Sequence, residues 1–162
     1  MKSDGTLNSL VRFVPGLTTL GRAGGALLYG QSSGGALALF VQVRPDATAV
    51  RLPIKTVADK CVWSEGKSAQ GRSTLGGDLI AYCGVPRGIT PRRFLDDWYR
   101  GATHSSDALW RVDASAGSAE IIYTPESSAS LDMENLTINS AGTHIAFINA
   151  ADKSLWLLRI EK

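Results

Sequence analysis

The fold is decided by the stretch Asn135-Leu136-Thr137-Ile138-Asn139-Ser140-Ala141-Gly142-Thr143-His144-Ile145-Ala146-Phe147-Ile148 and by Ser154-Leu155-Trp156-Leu157-Leu158-Arg159-Ile160, which follows it after a polar turn. Short apolar segments rich in Ile, Leu, Phe and Trp alternate here with turns of Ser, Gly, Asn and Thr. This alternation is typical of antiparallel strands joined by hairpin turns. The stretch therefore predicts a hairpin followed by a third strand.

The same pattern occurs twice more along the chain, within residues 15–52 and 58–124. In each of these two repeats a fourth strand follows a turn, at Arg44–Ala47 or Ala114–Gly117. No stretch of ten residues keeps a helical spacing of apolar residues, and one short helix is expected over Pro91–Tyr99. Twelve strands are predicted: Ser9–Val14, Leu17–Leu20, Ala26–Gln31, Ala36–Val43, Ala47–Leu52, Lys60–Ser64, Leu79–Val85, Ala108–Asp113, Ala119–Tyr123, Asn135–Asn139, Ile145–Asn149 and Ser154–Ile160.

Repeated units of four antiparallel strands are the blades of β-propellers. The segments Asn139–Phe147 and Leu155–Leu158 resemble the WD40-like propeller repeats of TolB and related bacterial proteins, and Ala108–Asp113 fits the same pattern. The first repeat departs from it, because Gly21–Gly25 replaces the usual turn and the third strand has no Trp. The resemblance implies an all-β fold of three four-stranded blades, which is a half or partial propeller.

The number of blades has a consequence for assembly. Closed propellers have roughly four to eight blades, so three blades leave two open apolar flanks. We expect a partner, either a second copy that completes a six-bladed ring or the missing half of the propeller. The predicted blades cover about 15–52, 58–124 and 133–162, and the third is completed by the strand over 9–14 or by a partner.

Composition excludes several classes of protein. Apolar residues make up 44% and charged residues 20% of the 162 residues, which favours a folded domain over a disordered chain. The net charge of +2 indicates neither a nucleic acid nor an anionic membrane as partner. No apolar run approaches the roughly 20 residues that a membrane-spanning helix needs.

Cys61 and Cys83 are predicted on the first and second strands of the middle repeat, near the start of one strand and the end of the other. If the hairpin pairs about residue 72, the two residues lie opposite each other, within reach of a disulfide. Two buried free thiols are the alternative. A disulfide would favour a periplasmic or extracellular location over the cytoplasm.

The insertion Arg87–Asp107 is the most distinctive loop, since it is far longer than the equivalent connections in the other repeats. In a propeller it lies on the same face as the links Pro53–Asp59 and Pro125–Met133. It is rich in residue types that dominate binding sites. The predicted ligand-binding residues are Arg92, Arg93, Asp96, Asp97, Trp98, Tyr99 and Arg100.

A structural interpretation of the same loop stays open. Phe94, Leu95 and Trp98 would then fold the insertion down over the edges of the blades, and Asp96 and Asp97 would pair with the neighbouring arginines.

Catalytic motifs are not supported by their context. Gly30-Gln31-Ser32-Ser33-Gly34 matches the G-x-S-x-G pattern of hydrolases, but it joins two strands instead of a strand and a helix. His104 and His144 lack further ligands at metal-binding spacing, so neither a metal nor another cofactor is expected.

Two functions remain open from the sequence. The first is a non-enzymatic scaffold that assembles with itself and binds a protein or glycan through loops on one face. The alternative is the propeller portion of a larger hydrolase, similar to prolyl oligopeptidases or glycosidases, whose catalytic part lies outside this chain.

Overall fold

The structure is a computed structural model that describes residues 9–64, 79–126 and 128–160. Its regular elements form three antiparallel sheets, each with its strands in the order of the chain. The elements are β1 (Thr18–Gly21), β2 (Leu27–Ser33), β3 (Ala36–Gln42), β4 (Val50–Arg51), a 3-10 helix (Ala58–Lys60), β5 (Cys61–Trp63), β6 (Ile80–Pro86), α1 (Phe94–Tyr99), β7 (Asp107–Asp113), β8 (Ser118–Tyr123), β9 (Met133–Ile138), β10 (His144–Asn149) and β11 (Leu155–Arg159).

Sheet 1 contains β1 to β4, sheet 2 contains β5 to β8, and sheet 3 contains β9 to β11. The prediction of an all-β fold built from antiparallel sheets is confirmed. The single short helix predicted over Pro91–Tyr99 is also present, as α1. The long Gly-rich turn expected between β5 and β6 lies outside the described residues.

The core lies between the sheets, because each strand turns alternate side chains to opposite faces. One apolar cluster joins sheet 1 to sheet 2 and includes Leu28, Leu39 and Cys83. A second cluster joins sheet 2 to sheet 3 and includes Leu109 and Phe147. Sheet 2 is therefore covered on both faces, whereas sheets 1 and 3 each have one face outside these two clusters.

The predicted strand over Ser9–Val14 is wrong. These residues form no strand, and the described part of sheet 3 consists of β9, β10 and β11 alone. Phe13 has a φ of 59°, which is incompatible with an extended strand, and its side chain is fully exposed. The apolar pattern of this segment does not produce a strand, because no strand among the described residues pairs with it.

The predicted strand over Ala47–Leu52 is much shorter than expected, since only Val50 and Arg51 pair with β3. The Gly30–Gly34 motif contributes its first four residues to β2 and its last to the hairpin turn before β3. This placement agrees with the interpretation of the motif as part of a hairpin and not as a nucleophile elbow.

Candidate functional site

Three charged side chains are fully buried where the insertion meets sheets 2 and 3. Lys60 ends the 3-10 helix that leads into β5, Asp107 begins β7, and Asp132 directly precedes β9. We call these three residues the buried charge cluster. Burying ions is costly unless they are paired and hydrogen-bonded, so their partners decide whether the cluster is stable.

The Lys60 ammonium is the centre of the cluster. Its Nζ donates to Asp107 Oδ2 at 2.8 Å, to Ser105 Oγ at 3.0 Å and to Asp132 Oδ1. The indole ring of Trp98 covers the ammonium, with Nζ 4.6 Å from the ring centroid. The electron-rich face of the ring attracts a cation, so the aromatic ring replaces water on this side.

Asp132 connects the cluster to the insertion. Its carboxylate accepts hydrogen bonds from Trp98 Nε1 at 3.0 Å and from Ser105 Oγ at 3.0 Å. His104 Nδ1 lies 3.1 Å from Asp132 Oδ2, while about a third of the His104 side chain stays exposed. Asp132 therefore orients the imidazole ring through Nδ1.

The two carboxyl groups are shifted in opposite directions. Burial raises the pKa of Asp132, but the Lys60 ammonium and the hydrogen bonds from Trp98 and Ser105 outweigh burial, so its net pKa is lowered. Burial dominates at Asp107 and raises its pKa despite the contact with Lys60. Among the described residues no group hydrogen-bonds to Asp107 Oδ1, which agrees with this difference.

A cleft of about 190 Å³ opens directly above the cluster. It collects residues from four parts of the chain: the link before β5, the insertion, the start of β9 and the turn between β10 and β11. We call it the junction cleft, and its lining residues are Asp59, Trp98, Tyr99, Gly101, His104, Glu134, Asn135, Ala150 and Lys153.

Polar contacts order the rim of the junction cleft. The Tyr99 hydroxyl donates to Asp59 Oδ2, and Lys153 Nζ donates to Glu134 Oε1 at 2.7 Å. Partial burial and the adjacent Asp59 carboxylate raise the pKa of Tyr99, so its hydroxyl stays protonated as a donor. The cleft thus combines an aromatic wall with paired charges and an oriented histidine.

Two of the predicted ligand-binding residues, Trp98 and Tyr99, line this cleft. The remaining five do not, and four of these are exposed: Arg92, Arg93, Asp96 and Arg100. Asp97 is half-buried, and its backbone carbonyl accepts hydrogen bonds from Ala102 and Thr103. A role for these residues in ligand binding stays a prediction.

The insertion also has a packing role. Phe94, Leu95 and Trp98 are buried against Leu37 of β3 and Val57 of the link before β5. The salt bridges found within the described ranges do not include Asp96 or Asp97. Apolar contacts and the hydrogen bonds of Trp98 and Ser105 to Asp132, instead of the expected pairing of Asp96 and Asp97 with arginines, therefore hold the loop.

Cys61 and Cys83 lie directly opposite each other in β5 and β6, and they are joined by a disulfide. The disulfide belongs to the core between sheets 1 and 2, and its first cysteine, Cys61, directly follows Lys60. It connects two strands whose intervening segment is long, and it thereby fixes the end of the 3-10 helix that carries Lys60.

The described residues contain no cluster of three or more His, Cys, Asp or Glu side chains arranged to hold a metal ion. His144 instead contacts the Thr143 hydroxyl at the turn before β10. None of the helices within 9–64, 79–126 and 128–160 is long and apolar enough to cross a membrane.

Comparison with known proteins finds no counterpart: no protein-family model, no curated protein and no solved structure matches this chain.

Sequence reasoning missed the buried charge cluster and the orientation of His104. Lys60 is 47 residues from Asp107 and 72 from Asp132, so no local spacing connects them. One signal was available, because Lys60 follows the buried residues Val57 and Ala58 and directly precedes a strand. A lysine inside an apolar segment requires buried acceptors, and acidic residues next to predicted strands are the natural ones to consider.

Proposed function

We propose that this chain is a non-enzymatic binding scaffold that presents a ligand site on the face built by the insertion. One observation carries the proposal: the insertion folds into α1 and forms the junction cleft together with the 3-10 helix before β5 and with sheet 3. Loops held on a rigid sheet framework are the usual place for binding residues. The ligand is a protein or a glycan.

The scaffold proposed is a partial β-propeller of the WD40-like, TolB type. Three successive antiparallel meanders, stacked face to face in the order of the chain, support it. Sheets 1 and 2 each have a fourth strand, and β11 occupies the position equivalent to β3 and β7. A partner strand beside β11 would complete the third blade.

Assembly with a second copy is part of the proposal. The outward face of sheet 1 contains Tyr29 and Phe40, whose rings stack at 5.0 Å. The outward face of sheet 3 exposes 76% of Leu155 and 70% of Leu157. A two-fold axis would bring the flank of sheet 1 against the flank of sheet 3 twice and produce six blades.

The ligand site is tested by a binding screen of the purified chain against peptide and glycan arrays. A double variant, Tyr99→Ala with His104→Ala, removes two walls of the junction cleft. Its matched control is Arg44→Ala with Asp46→Ala, an exposed pair outside the cleft. Hits that the cleft variant loses and the control keeps support the proposal; an empty screen, or hits that both variants keep, contradicts it.

The assembly is tested by light scattering coupled to size exclusion. A dimer has twice the 17.2 kDa mass of the chain. A monomer at about 100 μM would mean that the dissociation constant of the dimer lies well above this concentration, and it would contradict the six-bladed ring.

A further inference from the structure

Apart from His104, the charged residues that line the junction cleft are the carboxylates of Asp59 and Glu134 and the ammonium of Lys153, so the lining carries excess negative charge. Glu134 pairs with Lys153 at 2.7 Å, the Asp59 carboxylate accepts the Tyr99 hydroxyl, and His104 contacts Asp132. An anionic ligand would have to enter beside these carboxylates or break the pair of Glu134 and Lys153. The cleft therefore disfavours a ligand with negative charge.

The hydrogen-bonding capacity that remains is mostly that of acceptors. A carboxylate has about four lone-pair sites, so Asp59 and Glu134 can each accept further bonds. The contact between His104 Nδ1 and Asp132 Oδ2 does not use the second ring nitrogen of His104, which can hydrogen-bond a hydroxyl group as donor or as acceptor. Such a lining suits a ligand with many hydroxyl donors.

An aromatic ring stands at the edge of this polar lining. Tyr99 is 57% exposed, and its ring lies 5.3 Å from that of the buried Trp98, tilted by 48°. The contact with the buried Trp98 ring therefore restricts the position of the Tyr99 ring. An exposed aromatic face beside hydrogen-bonding groups matches a ligand with an apolar ring face and a polar rim.

We propose that the junction cleft binds a neutral oligosaccharide, with one sugar ring stacked on Tyr99 and its hydroxyls hydrogen-bonded to Glu134, Asn135 and His104. This inference rests on the proposed function of the face as a ligand-binding surface. The cleft volume of about 190 Å³ lies below the roughly 300–1,000 Å³ of pockets that enclose drug-sized ligands. One sugar ring of an oligosaccharide fits such a space, and the adjacent sugar rings lie outside the cleft.

The test is an NMR titration of the isotope-labelled chain with neutral hexasaccharides of glucose, mannose and N-acetylglucosamine. A hexamer of galacturonic acid serves as the charged comparison. We expect shifts confined to the residues that line the junction cleft, and weaker or no response to the charged hexamer. Tyr99→Ala should weaken binding by about tenfold through loss of the stacked ring.

Two further variants distinguish the loss of the stacked ring from a general effect of substitution on the fold. Tyr99→Phe keeps the ring, so it should bind within about threefold of the wild type. Phe13→Ala removes a fully exposed aromatic side chain that does not line the cleft and should change nothing.

Two results would overturn the saccharide assignment: no response to any neutral hexasaccharide at about 10 mM, or unchanged binding by Tyr99→Ala. If the arrays instead give peptide ligands that depend on the cleft, the saccharide assignment fails while the proposed function stands. If nothing binds to this face in either experiment, both fail.

Discussion

Lys60 is the residue whose environment departs most from that of an ordinary surface lysine. Its ammonium is fully buried, contacts two buried carboxylates and is covered by an indole ring. The attraction between these charges is offset by the cost of removing them from water, so the net stability of the cluster is modest. Removal of one member has a larger effect, because it leaves the others uncompensated.

Lys60→Met is therefore expected to reduce the free energy of unfolding by about 3–5 kcal/mol. The methionine keeps most of the side-chain volume, so the loss reports the uncompensated carboxylates instead of a cavity. Urea unfolding followed by tryptophan fluorescence measures it. The control is Lys153→Met, which removes an exposed partner of Glu134 and should cost less than about 1 kcal/mol. Equal effects of the two variants would contradict this account.

The pKa shifts of the two carboxyl groups predict opposite effects of pH. The net pKa of Asp132 is lowered, so its stabilising contribution is present above about pH 3.9 and is lost as pH falls through the lower folded value. Asp132→Asn should reduce stability at pH 7 and flatten the stability curve below about pH 4.

The pKa of Asp107 is raised, so its ionisation reduces stability as pH rises above the ordinary carboxyl value. Asp107→Asn should remove that decrease. Thermal unfolding of the wild type and both variants between about pH 2.5 and 7 measures the two effects. Stability curves of the same shape for all three proteins would show that neither carboxyl titrates as described.

At the scale of elements, the position of β5 depends on its partner β6. β5 has three residues and pairs with β6 through Cys61, Val62 and Trp63. A strand this short has few backbone hydrogen bonds, and the disulfide adds a covalent constraint. The same short strand follows directly on Lys60, so its register also positions the buried charge cluster.

Replacement of both cysteines, Cys61→Ala with Cys83→Ala, is expected to reduce the free energy of unfolding by about 3 kcal/mol. The physical reason is the larger conformational entropy of the unfolded chain once the 22-residue separation is no longer closed. Chemical denaturation with and without a reducing agent measures it. The reducing agent should destabilise the wild type and leave the double variant unchanged; a wild type insensitive to reduction would contradict the prediction.

At the scale of the whole molecule, three sheets stack in one direction and leave two unlike flanks. Sheet 2 packs on both of its neighbours, whereas the outward faces of sheets 1 and 3 lie outside these cores. Leu155 and Leu157 lie on one face of β11 and are largely exposed. Exposed apolar residues grouped in this way are typical of an interface.

Leu155→Lys with Leu157→Lys should convert the proposed dimer into a monomer, because four lysines would then enter the two symmetric contacts. Sedimentation or light scattering measures the mass, and circular dichroism checks that the β-sheet content is kept. The matched control, Ile121→Lys, alters an exposed apolar residue of β8 in sheet 2 and should leave the dimer intact. A dimer that persists in the double variant would place the interface elsewhere.

The sequence by itself determined the sheets, the short helix and the alignment of Cys61 with Cys83. Each depends on local patterns: alternation of apolar residues, turn residues between strands, and the equal spacing of two cysteines about a hairpin centre. The predicted strand over 9–14 was wrong, because apolar residues extend into a strand only where a neighbouring strand offers hydrogen bonds.

The sequence also predicted Trp98 and Tyr99 of the junction cleft, whereas the tertiary structure alone decided the buried charge cluster. Lys60, Asp107 and Asp132 belong to three separate segments of the chain, and only the packing of sheets 2 and 3 under the insertion brings their charges together. His104 and Asp132 are 28 residues apart in the chain, so their contact also depends on the tertiary structure. Opposite charges attract through space whatever their separation in the sequence. A cluster built from distant segments therefore has no periodic sequence pattern that would predict it.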